Sequence, residues 1–191
     1  MLWPFSLLPG SYICMDTETT GLPKGQAMPD IVSLGLTEVH GRKIASTQEF
    51  KIRPDQTISE EAERVHGIGS EEARHFDELE DHWQNINEML SSRVVVIHNA
   101  GFDWPILLNQ LGRTGLSLPI VEGVFCSQKS AFPWATANKL ECTSRGPSLD
   151  VLTAALELED LRSREGGLHG AAIDSRQTAL VVEKLRGHFG V

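Results

Sequence analysis

The stretch Cys14-Met15-Asp16-Thr17-Glu18-Thr19-Thr20-Gly21-Leu22-Pro23 sets the reading of this chain. An apolar run over residues 11–16 reads as a strand that ends in acids. Side chains alternate between the faces of a strand, so Asp16 and Glu18 point the same way and can grip one cation together. Thr19-Thr20-Gly21 then reads as a tight turn. Paired carboxylates are costly to bury unless something neutralises them, and a divalent cation does so. With 26 Asp and Glu among 191 residues, about one Asp-x-Glu arises by chance. The pair therefore carries meaning only if partners come to it from elsewhere.

Working outward, period-two alternation marks strands over residues 30–40 and 43–52, with Gly41-Arg42 as the hairpin turn. Ser59 and Ser70 each precede acids and start short helices. Phe76, Leu79, Trp83, Ile86 and Leu90 recur at helical spacing over 76–91. Val94-Val95-Val96-Ile97 is a β-branched run of the kind that fills a central strand. Helices are expected from Ile106 to Gly112, over 148–158 and over 170–185, and a fifth strand over 121–126. Segment 133–147 reads as a loop and 162–168 as a mobile stretch. This order predicts an α/β fold, an open five-stranded mixed sheet with helices on both faces. Sites in such sheets gather at the carboxyl ends of central strands, which places Asp16 beside Ile97-His98.

Composition bounds the rest. The length suits one domain. No apolar run reaches a membrane span, and the start from Met1 to Pro9 lacks a basic region and carries two prolines, so it is read as an arm over residues 1–10 and not as a signal peptide. Cys14, Cys126 and Cys142 have no metal spacing, and a reducing cytoplasm fits them. The net charge of −9 argues against a broad grip on duplex nucleic acid.

Two further segments answer the first. Ile97-His98-Asn99-Ala100-Gly101-Phe102-Asp103 brings an acid to the opening of a helix just after the central strand, where Asp103 would otherwise be an N-cap. Leu168-His169-Gly170-Ala171-Ala172-Ile173-Asp174 delivers His169 on a Gly-rich loop and sets Asp174 among small apolar residues, where an unpaired acid is disfavoured.

Together these three segments resemble the motifs of the DEDDh superfamily of 3′→5′ exonucleases, in the form with His in the third motif. The stretch Arg53-Pro54 to Ile58, Ala62 and Val65-His66-Gly67-Ile68 resembles the family's linking signature, and Ser148-Leu149-Asp150-Val151-Leu152 its SLDAL helix. The likeness runs over about residues 11–186 and is to the branch of the polymerase III epsilon subunits and exonuclease X.

It implies a ribonuclease H-like three-layer α/β/α fold, with residues 11–191 as a single exonuclease domain. It also implies two divalent metal ions, Mg²⁺ or Mn²⁺, on Asp16, Glu18, Asp103 and Asp174, and His169 as general base. An imidazole suits that role at neutral pH, and a mobile loop lets it close on substrate. The resemblance further implies substrate contacts from Thr17, Thr19, Leu22, His66, Ile68, His98, Asn99 and Phe102. Leu22 and Ile68 would wedge the last bases and Phe102 would stack.

The implied activity is hydrolysis of terminal phosphodiesters at DNA 3′ ends, single-stranded or frayed, to release nucleoside 5′-monophosphates. RNA ends are the alternative, as in oligoribonuclease and ribonuclease T relatives. A non-catalytic nuclease-like binding module is a third, and it predicts loss of an acid or the His; all five are present. Two departures stand out. Cys126-Ser127 replaces the frequent Asp-Thr, and Ser130-Ala131-Phe132-Pro133 replaces a basic aromatic helix, which bears on substrate grip. The third motif's helix is followed directly by Val191, so a stand-alone enzyme or excised domain is expected, with a polymerase or other protein partner left open.

Overall fold

A computed structural model describes residues 5–164 and 166–190. In chain order it runs through a short 3₁₀ turn, Phe5–Leu7, then β1 (Tyr12–Thr19), β2 (Ile31–His40) and β3 (Lys43–Lys51). Helices α1 (Glu60–His66), α2 (Ser70–Ala73) and α3 (Leu79–Leu90) precede β4 (Val94–Ile97). Next come α4 (Ala100–Thr114), β5 (Gly123–Cys126), α5 (Ser127–Ala137), α6 (Leu149–Ala155), α7 (Leu161–Arg164) and α8 (Ala171–His188).

The five strands form one sheet in the order β3-β2-β1-β4-β5. β2 runs antiparallel to both β1 and β3, whereas β4 is parallel to β1 and β5 to β4. Met15 pairs with Ile97, so the first and fourth strands lie side by side as expected. Alternation along β1 builds both halves of the core. Ile13 and Met15 pack with Trp83, Ile86, Ile106 and Leu107 of α3 and α4, while Tyr12 and Cys14 pack with Leu152, Val181, Val182 and Leu185 of α6 and α8. The fold is the three-layer, ribonuclease H-like arrangement expected.

Several boundaries differ from the sequence expectation. β1 continues three residues past Asp16 because β2 pairs with it as far as Thr19, through an irregularity between Glu18 and Thr19. Both acids therefore sit inside the strand. α4 starts at Ala100, so Asp103 is not an N-cap but a first-turn residue; the cap is Asn99, held in the left-handed region at φ 71°, which Asn tolerates. Two helices contain prolines: α4 runs through Pro105 and α5 through Pro133, so part of the expected loop is helical. Part of the stretch read as mobile is α7.

Caps follow the sequence more closely. Ser59 caps α1 by accepting from the Ala62 N–H, and Ser148 caps α6 by accepting from that of Val151. Of the expected arm, residues 1–4 lie outside the described residues, whereas Phe5 and Leu8 are buried, with Phe5 edge-on to Phe125. Among the described residues no helix is long and apolar enough to cross a membrane.

Candidate metal-dependent active site

At the carboxyl ends of β1 and β4 the surface opens into a cavity of about 460 Å³, and Asp16, Glu18, Asp103, His169 and Asp174 all line it. Strand β1, helices α4 and α8 and the loop before α8 deliver them, and the geometry follows from alternation. Asp16 and Glu18 share the face of Tyr12 and Cys14, the face that α8 covers, and so meet Asp174 near the start of α8. Thr17 takes the opposite face, the one that α4 covers. There its hydroxyl and its backbone N–H both donate to Oδ1 of Asp103, at 2.7 and 3.1 Å.

One approach makes this convergence possible. Gly35 of β2 lies directly opposite Asp16. A Cβ built on it would stand 2.1 Å from the carbonyl carbon and oxygen of Ala171. Only a bare Cα lets the first turn of α8, and Asp174 with it, reach the sheet. The sequence reading passed over Gly35; a glycine inside a strand otherwise rich in apolar residues was the available signal.

The electrostatics show a shortage of positive charge. Burial, then Asp103, Asp174 and Glu18, hold the Asp16 carboxyl well above its ordinary value. Burial and Asp174 push Glu18 up to about 8. Burial pushes Asp103 up to about 6 against the pull of its bonds from Thr17. Asp174 alone is lowered: burial works to raise it, but hydrogen bonds from His169 and Arg162 outweigh that. His169 places Nδ1 3.4 Å from Asp174 Oδ2 and keeps a side chain that is 42% exposed. Ligand atoms of Glu18, His169 and Asp174 lie within 4.8 Å of one another. A buried set of oxygen donors that repel each other's charge fits hard divalent cations.

The remaining candidates divide. Thr17, Thr19, His66, His98, Asn99 and Phe102 line the cavity, as does Leu22, which is 74% exposed at its rim. Ile68 does not reach the cavity wall; it is buried with Val32, Ile58 and Ala73.

Both histidines turn their nitrogens inward. His66 accepts from the Ile68 N–H at Nδ1, which leaves Nε2 to donate to the Thr19 carbonyl. Burial lowers its pKa, in keeping with a neutral ring. His98 faces Ser127 Oγ and the Pro147 carbonyl, and burial pushes its pKa down to about 4. The two rings therefore brace the cavity wall.

One functional neighbour escaped the sequence reading. Arg162 of α7 reaches Asp174 with Nε and Nη2, each at 2.6 Å, and Asp150 with Nη1 at 2.6 Å. A basic stretch followed by two glycines carries no sequence signal of such a reach.

Comparison with known proteins matches this arrangement. The family profile described as Exonuclease (RNase_T) covers residues 13–182. DNA polymerase III subunit epsilon of Escherichia coli (strain K12) is 29% identical over 182 residues, 92% of this chain and 71% of that protein. A solved exonuclease X in complex with 5′ overhanging duplex DNA has a TM-score of 0.67 at 25% identity, covering 94% of this chain and 93% of that one. The zinc-bound E. coli ExoI–ssDNA complex has a TM-score of 0.74 at 17% identity, covering 94% and 41%, and speaks for the fold.

Proposed function

This chain belongs to the RNase_T exonuclease family, and on that premise we propose that it hydrolyses the terminal phosphodiester at the 3′ end of DNA. Single-stranded or frayed ends are preferred, and nucleoside 5′-monophosphates are released. The observation that carries this reading is the clustering of Glu18, His169 and Asp174 within 4.8 Å, on the wall that also carries Asp16 and Asp103.

Asp16, Glu18, Asp103 and Asp174 are the residues to hold two divalent cations, Mg²⁺ or Mn²⁺. Bound there, such ions supply Lewis-acid charge at the attacked phosphate. His169, its Nδ1 against Asp174, takes the proton of the attacking water at Nε2. The water oxygen joins phosphorus, the bond from phosphorus to the 3′ oxygen of the preceding nucleotide breaks, and that oxygen is protonated from solvent. Leu22 at the rim separates the last base from its neighbour, and Phe102 gives it an apolar surface. Arg162 is the one Lys or Arg among the described residues that line the cavity, which supports a preference for unpaired termini over a broad grip on duplex.

In this reading residues 11–191 act as one catalytic unit with residues 1–10 as an arm. The three unbridged cysteines suit the cytoplasm.

A time course with end-labelled DNA and RNA oligomers, offered single-stranded, mismatched and fully paired, tests the proposal. Mg²⁺- or Mn²⁺-dependent loss of single nucleotides from DNA 3′ ends is expected, and Asp16→Ala should abolish it. Undiminished activity in that variant would overturn the assignment, and faster cleavage of RNA would make the chain an exoribonuclease.

A further inference from the structure

Arg162 occupies the place where positive charge is most needed. Its fork takes both oxygens of Asp174 at 2.6 Å, and its side chain is only 13% exposed. A cation on Asp174 would lie about 2.0–2.6 Å from one of those oxygens. The guanidinium would then share oxygens with a divalent charge, in a buried setting where like charges are poorly screened. The two charges oppose each other at Asp174. We infer that Arg162 is an exchangeable internal counter-cation: it neutralises Asp174 while no divalent ion is bound and withdraws when one binds.

Three features suit it to leave. First, α7 has four residues and none belongs to the hydrophobic core, Arg162 being half-buried, so its movement uncovers no core. Besides the Arg162 fork on Asp174, the Leu161 N–H donates to Gln177 Oε1 of α8. Second, the chain beyond passes through Gly166 and Gly167, at φ 92° and 84°, where rotation is cheap. Third, Asp150, 71% exposed at the mouth, already holds Nη1. The guanidinium can give up Asp174 and stay on this outer carboxylate. His169 follows five residues after α7, so loading the centre also frees the segment that carries the base.

This inference rests on the metal reading above, and the experiment separates the two. Calorimetric titration of Mn²⁺ into the metal-free full chain is compared with Arg162→Gln and Arg162→Lys. Arg162→Gln should bind the first Mn²⁺ about tenfold or more tightly than the unaltered chain, because nothing positive has to leave. Arg162→Lys, with charge but no fork, should fall between, and it serves if the Gln variant folds poorly. Amide exchange over residues 160–164 should quicken on adding Mn²⁺ to the unaltered chain and stay constant in Arg162→Gln. Equal or weaker Mn²⁺ binding in both variants, or no change in exchange, overturns the inference while leaving the metal reading intact. Absence of Mn²⁺ binding in all three chains overturns both.

Discussion

Thr17 donates twice to a single oxygen, Oδ1 of Asp103, through its backbone N–H at 3.1 Å and its hydroxyl at 2.7 Å. The two residues lie 86 positions apart and belong to β1 and α4. One strand residue thus orients an acid from another element, while its neighbours Asp16 and Glu18 face the opposite layer.

Thr17→Val tests this arrangement, since it keeps the shape and the backbone bond and removes only the hydroxyl. The lost bond should cost about 1 kcal/mol of stability. Mn²⁺ affinity should fall by about 10–100-fold, the usual effect of removing a group that orients a ligand. Calorimetry and thermal melting read both, and an unchanged affinity would mean that Asp103 needs no such support.

His169 stands close enough to Glu18 and Asp174 to act either as a ligand or as a base. As a base, His169→Gln should lower kcat by about 10²–10⁴-fold with Mn²⁺ affinity nearly unchanged. As a ligand, affinity would fall alongside kcat. Single-turnover rates at saturating Mn²⁺, set beside the binding isotherm, decide between them.

Three of the acids of this site were legible in the sequence because they broke a local rule, whereas Asp103 had an ordinary reading as an N-cap. Asp16 and Glu18 shared one face of a strand that was otherwise apolar, and Asp174 sat among alanines. The central strand announced itself in Val94–Ile97. What positions those acids was not legible, because it lies in the packing of layers. Thr17 looks like any strand threonine until α4 covers its face. Gly35 is an interruption until α8 lands on it. Arg162 belongs to a polar stretch whose reach depends on where Asp174 has been carried. Helix α5 was read as loop from Pro133 onward, yet it continues to Ala137 because tertiary contacts outweigh the local cost of a proline.

The raised carboxylates predict a pH dependence with a definite sign. A carboxyl whose folded pKa exceeds its unfolded value binds more protons when folded, so its contribution to stability falls as pH rises between the two values. For Glu18 that window runs from its ordinary 4.5 to about 8. His98, lowered from 6.5 to about 4, works the other way, adding stability as pH rises and finishing near 6.5. Between pH 6.5 and 8 the carboxylates therefore dominate. In chelator the melting temperature should fall across this interval, and saturating Mg²⁺ should flatten the slope. A melting temperature that rises over the same interval in chelator would show that the acids are already neutralised from within the chain.

Gly35 gives the sharpest link between packing and chemistry. A methyl group there would meet backbone atoms of Ala171 at 2.1 Å and of Ala172 at 2.4 Å. No side-chain rotation relieves such a contact, so α8 must move away from β2. Gly35→Ala should cost about 3 kcal/mol, at the upper end for overpacking, and lower the melting temperature by roughly 10 °C. Asp174 lies three residues beyond Ala171, and a displacement near 1 Å should reduce activity by about 10²-fold even where the chain stays folded. Gly112, inside α4 with no atom within 4 Å of its built Cβ, supplies the contrast. Gly112→Ala should leave activity intact and add about 0.5–1 kcal/mol. Melting curves and single-turnover rates on the same preparations carry the comparison. If Gly35→Ala kept both stability and rate, close contact between the sheet and α8 would not be what places Asp174 beside Asp16.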